Sequence, residues 1–308
     1  MTVTMTAIAI VVFLFIFGLT GMHLFRWPLF NAAVRAQRAK SGLSIKAIRL
    51  DGHEIIYLEG GTGEPLVLIH GFGANKDNWA RVSPILSRHF RLIILDLPGF
   101  GDSTRDEGAH YDVESQLARL RLFLQALGLN SVHLGGNSMG GYLAALYSAR
   151  HPDGVKSQWL LAPAGVTTAK PSKLFNYLER GENPLLVEDS SGFRRLMSLC
   201  FNKIPYVPKP FQRCLCERNI GERSFNEKIF NEMFNDPLSL ELELMGCVTK
   251  TQILWGDRDQ ILDVSGAEIL SDIIKGAQSI VMKQMGHCPM LERPGETADL
   301  YLKFQNKK

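Results

Sequence analysis

Apolar residues along this chain fall into two alternating patterns. Short, nearly unbroken apolar runs occur at residues 54–58, 66–69, 92–95, 132–134, 158–161, 252–255 and 279–281. Runs of this length read as strands, and the continuous ones suit strands buried on both faces of a parallel sheet. Between them lie stretches at helical spacing. The stretch from Asp112 to Gly128 is one, with Asp112 placed as an N-cap and Gly128 as a stop. This alternation predicts an α/β architecture, a mostly parallel central sheet with helices on both faces. The alternation lapses over residues 166–247, where helical patches are broken by Pro171, Pro184, Pro205, Pro208, Pro210 and Pro237. That segment reads as a mainly helical cap inserted between a first core part, 47–165, and a second, 248–308. There is no internal repeat and no low-complexity segment.

The first 25 residues follow neither pattern. No charged side chain occurs from position 2 to 25, and positions 7–19 are wholly apolar. With its flanks this run is long enough for a helix to cross a bilayer, which takes about 20 residues. Arg26, Arg35, Arg38, Lys40 and Lys46 follow, with no acid before Asp51. A basic excess on that side predicts a cytoplasmic body. Residues 1–25 therefore read as a single-pass membrane anchor and 26–46 as a basic linker, with Trp27 at the interface. The rival reading is a cleaved signal peptide, with Ala32-Ala33 near the cleavage point and a secreted or periplasmic body. It lacks a basic start, and the apolar run is long. A buried core helix is excluded because nothing polar marks a second face.

Composition narrows the function classes. The chain has 308 residues, 45% hydrophobic and 21% charged, and a net charge of +3. That size allows one large domain with an insertion, and that charge gives no footing for nucleic acid. The five cysteines include no CxxC pair, which argues against a disulfide framework or a zinc site. Cys214 and Cys216, separated by one residue, read as packing residues of the cap. No cofactor, metal or nucleic-acid partner is expected.

The candidate chemistry centres on Gly136-Asn137-Ser138-Met139-Gly140, between a strand-like and a helix-like run. G-x-S-x-G in that setting is a nucleophile elbow: the turn is so tight that Gly136 and Gly140 must lack bulk, and the serine is lifted clear. A serine hydroxyl is a weak nucleophile and needs a base, which in turn needs an orienting acid. The elbow order is Ser, acid, His. His287 lies in a loop after the last strand-like run. The acid should follow a strand between these two, and Asp257, Asp259 and Asp263 all lie just past the 252–255 run. The oxyanion needs preorganised donors. Met139 N–H supplies one, and Phe72 N–H, between Gly71 and Gly73 after the 66–69 strand, the other.

Together these pieces resemble the α/β-hydrolase fold family from about Gly52 to the C-terminus. The likeness also includes His70-Gly71, the turn Asp96-Leu-Pro-Gly-Phe-Gly101-Asp-Ser103, and Trp255-Gly256. The family pattern W-G-x-x-D places the acid at Asp259, and the Asp96 turn is structural. Residues 252–267, Ala162-Pro-Ala-Gly165 and Gly286-His287 with Glu292-Arg293-Pro294 look like the single-span, membrane-anchored monoacylglycerol lipases of this family and related bacterial lipases. The resemblance implies a serine lipase or esterase acting on acylglycerol esters through an acyl-enzyme. The cap supports a membrane role: Phe193 to Phe211 mixes Arg194, Arg195, Lys203 and Lys209 with apolar residues and holds no acid. Its blander alternative is a cap that packs those apolar residues inward. Two other functions compete: a C–C hydrolase of meta-cleavage products, and a catalytically silent membrane scaffold on the same fold.

Overall fold

The computed structural model describes residues 25–306. Residues 1–24, and with them the predicted anchor apart from Phe25, lie outside the described residues. Among the described residues no helix is long and apolar enough to cross a membrane.

An eight-stranded sheet organises the body. Its strands are β1 (Ser44–Leu50), β2 (His53–Gly60), β3 (Glu64–Ile69), β4 (Phe90–Leu95), β5 (Val132–Asn137), β6 (Val155–Leu161), β7 (Lys250–Gly256) and β8 (Gln278–Met282). Their order is β1-β2-β4-β3-β5-β6-β7-β8. The β1–β2 and β2–β4 pairs are antiparallel, and every other pair is parallel. The seven runs read as strands all lie within β2 to β8. β1 escaped that reading because it is an edge strand whose residues are mostly exposed, so apolar and polar positions carry little pattern.

The longer helices are α1 (Arg26–Ala39), α2 (Val113–Ala126), α3 (Met139–Arg150), α4 (Ser190–Cys200), α5 (Lys209–Gly221), α6 (Arg223–Phe234) and α7 (Pro294–Asn306). Asp112 caps α2 by accepting from Ser115 N–H at 2.9 Å, and Gly128 ends it at φ 67°. One apolar core fills the face of the sheet under α2 and α3, and a second fills the face under α7. Both faces of β3 and β4 are therefore dry, which is why the runs 66–69 and 92–95 are continuously apolar.

The segment read as a basic linker is instead α1 and the start of β1. Two of its charges, Arg26 and Arg38, are paired within the fold, with Glu217 and Asp77. Phe30 is buried with its ring 5.6 Å from Phe211 of α5. Trp27 is half-buried, its indole N–H donating to Glu217 at 3.1 Å. At the other end Arg38 grips Asp77 with two bonds of 2.7 and 2.6 Å. α1 thus bridges the cap and the sheet domain.

Candidate active site

β5 ends at Asn137 and α3 begins at Met139, which leaves Ser138 alone in the turn. Its φ of 58° and ψ of −120° are strained, at a cost of about 1–3 kcal/mol. Backbone bonds hold the strain in place. Ser138 N–H donates to Leu161 O at 3.0 Å, and its carbonyl accepts from Tyr142 and Ala164 N–H at 2.9 and 3.1 Å. A Cβ on Gly136 would lie 2.1 Å from Gly140 O, and one on Gly140 would lie 2.3 Å from Ile69 O. Only hydrogen fits at either place, as the motif requires. Ser138 itself is half-buried, so its hydroxyl can be reached.

His287 sits in the loop between β8 and Pro289, and Asp259 in the loop after β7. The His287 Nδ1 lies 2.7 Å from Asp259 Oδ2, with both side chains essentially out of solvent. The other Asp259 oxygen accepts from Ile261 and Leu262 N–H at 2.8 and 3.0 Å. The carboxylate is thereby fixed as an acceptor facing Nδ1, which leaves Nε2 free to act as the base. Burial pulls the His287 pKa down, but the charge and the hydrogen bond of Asp259 outweigh it. The net shift is upward from the ordinary 6.5.

The structure separates the three candidate aspartates. Asp263 accepts from Ser265 N–H at 2.9 Å at the start of the next helix. Asp257 receives Met285 N–H at 3.4 Å. Only Asp259 meets His287. Asn137, the residue before the serine, reaches the histidine loop: its Nδ2 donates to His287 O and to Leu161 O, both at 3.1 Å. Sequence reasoning gave Asn137 no role; as the variable position of G-x-S-x-G it carries no signal of its own.

The N–H groups of Phe72 and Met139 make no hydrogen bond to the described residues. The first helical turn leaves its donors unused, so Met139 N–H is available to an anion. The Phe72 loop is braced from both sides. His70, fully buried, lies 2.7 Å from Gly71 O through Nδ1 and accepts Leu97 N–H at Nε2 at 3.1 Å. Burial lowers its pKa, so the neutral ring is the form that holds the loop. From the cap, Phe230 and Phe234 of α6 pack edge-on to the Phe72 ring, with centroids 5.5 and 6.2 Å away.

The Asp96 turn is tied by a buried ion pair. Lys76 Nζ lies 2.6 Å from Asp96 and 2.5 Å from Asp102, and Lys76 is 1% exposed. Lys76 was not singled out from sequence, because in Asn75-Lys76-Asp77 it looks like an ordinary surface charge. His133 stays inside β5, between Ser157 Oγ and Glu64 at 2.8 Å each. His23 lies outside the described residues. The five cysteines are free. In the cap, Phe193, Leu199 and Phe201 are buried, whereas Ile204 and Tyr206 face outward. The inward-packing and surface readings of that stretch each hold for part of it.

Comparison with known proteins agrees with this geometry. Residues 64–198 match the family model described as alpha/beta hydrolase fold. Lipase 1 of Psychrobacter immobilis is 38% identical over 89% of this chain and 87% of its own. Monoacylglycerol lipase abhd6-A of Xenopus laevis is 31% identical over 87% of this chain and 83% of its own. A crystal structure described as a membrane phospholipase A, a bacterial virulence factor, is 42% identical with a TM-score of 0.90, over 98% of both chains.

Proposed function

Because the chain belongs to the α/β-hydrolase fold family and is an ester hydrolase of that type, we propose that it cleaves carboxylic esters of lipids through an acyl-enzyme on Ser138. The buried 2.7 Å contact between His287 and Asp259, tied to the elbow through Asn137, is the observation that carries this reading. His287 Nε2 takes the Ser138 proton as Oγ attacks the ester carbonyl carbon. The Phe72 and Met139 N–H groups receive the resulting oxyanion, an interaction typically worth about 10²–10³-fold per donor. The tetrahedral intermediate collapses, His287 hands its proton to the departing alcohol oxygen, and the acyl group stays on Ser138. Water, activated by His287 in turn, releases the fatty acid and restores the serine.

The substrate we assign is a monoacylglycerol or another acylglycerol, in keeping with the names of the lipase relatives. A phospholipid acyl ester is the second reading, favoured by the 42% identity to the membrane phospholipase A over 98% of the chain. Residues 1–25 serve as the anchor, with the body on the cytoplasmic side. α1, which follows that segment, packs on the cap through Arg26–Glu217 at 2.9 Å and the Phe30–Phe211 contact, so an anchor there is coupled to the cap. An anchored cap keeps the site beside its lipid substrate.

The test is hydrolysis of 1-monoacylglycerols of graded chain length, a lysophospholipid and a diacyl phospholipid, by wild type and by Ser138→Ala. Turnover of glycerides that vanishes in the variant is expected. Turnover confined to the phospholipids would move the assignment to the second reading. No turnover of any ester by folded wild type would overturn the lipase reading and bring the C–C hydrolase forward. Removing residues 1–24 should leave activity on a water-soluble ester intact and abolish membrane association.

A further inference from the structure

We propose that Glu292 is a positioning residue for His287, and that through it the cap holds the base in its working place. This rests on the assignment of Ser138, His287 and Asp259 made above. One carboxylate spans two parts of the molecule. Glu292 Oε2 accepts from Gly286 N–H, in the loop that carries the histidine, and from Asn202 N–H, in the cap segment after α4, both at 3.1 Å. Its Oε1 accepts from Lys203 N–H at 2.9 Å. Three backbone donors on one ionised acceptor make charge-assisted bonds, stronger than neutral ones.

The cap is seated directly on the histidine loop. His287 N–H donates to Cys200 O at 2.8 Å, and Asn202 Nδ2 donates to Gln284 O at 3.0 Å. Gly286 makes the approach possible. A Cβ there would lie 2.6 Å from Asn202 N, 2.7 Å from Cys200 O and 2.8 Å from the Phe201 Cα. The loop and the cap segment therefore cannot be moved apart without breaking the Glu292 bonds, nor brought closer at all.

The position of the base matters because its Nδ1 and Nε2 must serve Asp259 and Ser138 together. A misplacement of about 1 Å can cost on the order of 10²-fold in rate. The same cap segment continues into Ile204 and Tyr206, the latter 91% exposed, along a cleft of about 440 Å³ beside Glu292. Whatever touches that exposed end is mechanically one carboxylate away from the catalytic histidine.

Glu292→Gln, made in the full chain, keeps the size but replaces one acceptor oxygen with a donor facing N–H groups. On a short-chain water-soluble ester, kcat should fall on the order of 10- to 100-fold, while KM stays within about twofold. The downfield proton resonance of the His287–Asp259 bond should be lost or broadened. Unchanged kcat with an unchanged resonance would overturn the proposal. So would a kcat loss matched by an equal loss of natively folded protein in urea unfolding, since that reports unfolding alone. Should Glu292→Gln fail to fold, Glu292→Asp keeps the charge but is one methylene too short to reach Gly286, Asn202 and Lys203 together; a kcat loss with the same spectral change is expected, and no change in either overturns the idea. His287→Ala separates the two levels. Full activity there sinks the catalytic assignment itself, whereas an inactive His287→Ala beside a neutral Glu292→Gln sinks only the role of Glu292.

Discussion

The Asn137 amide donates to the His287 carbonyl at 3.1 Å, so the residue before Ser138 fixes the loop that carries His287. The same amide holds Leu161 O, at the end of β6. Two strand ends and the histidine loop therefore meet on one side chain, buried to 2% exposure. Asn137→Ala leaves both carbonyls without that donor. It should cost about 1–3 kcal/mol of stability and lower kcat more than it raises KM. Urea unfolding and steady-state kinetics on one ester check both halves.

The raised His287 pKa predicts the acid limb of the rate profile. The reaction needs a neutral imidazole, so kcat/KM should fall as pH drops through a value above the ordinary 6.5. The stability sign is opposite. The folded state favours the protonated ring, so that contribution is complete below 6.5 and is lost as pH rises through the folded pKa. Asp259→Asn removes the charge and lets an amide N–H face Nδ1, which favours the wrong imidazole tautomer. It should move the limb to lower pH and reduce kcat on the order of 10³- to 10⁴-fold. A pH–rate profile in which Asp259→Asn leaves the limb in place would contradict the pairing.

Lys76 is the buried partner of Asp96. Lys76→Met would strand the Asp96 carboxylate, at a cost of about 3–5 kcal/mol. The Asp96 turn lies beside the oxyanion loop through the His70–Leu97 bond, so the variant should lose activity with stability. Thermal unfolding against residual activity checks this; a fully stable Lys76→Met would show that the ion pair contributes nothing.

Glu241 latches the two stems of the cap, accepting from Thr168 N–H at 2.7 Å and from the hydroxyls of Thr168 and Ser239 at 2.8 Å each. Burial raises its pKa, but these donors outweigh it and bring it down from 4.5 to about 2. Its contribution is present above 4.5 and is lost as pH falls toward 2. Glu241→Gln should flatten the stability–pH curve in that window and speed proteolysis within the cap. An unchanged curve would mean the latch is made elsewhere.

The sequence by itself determined the strands β2 to β8, the tight turn at Ser138 and the family, because each is a local pattern. Apolar runs report burial on both faces, and Gly136-x-Ser-x-Gly140 reports a turn in which no Cβ fits. Even the choice of Asp259 over Asp257 and Asp263 needed more than position, since all three aspartates lie within one loop. The resemblance pointed to Asp259, and the tertiary structure shows the physical difference: one carboxylate is aimed at His287 and the other two are spent on backbone N–H groups. Tertiary structure decided that residues 26–39 form a packed helix, because the partners of its charges, Glu217 and Asp77, lie far away in the chain. The contacts of Lys76, Asn137 and Glu292 were invisible for the same reason. A polar residue's role is set by the atoms it meets, and those atoms arrive from elements that only folding brings together.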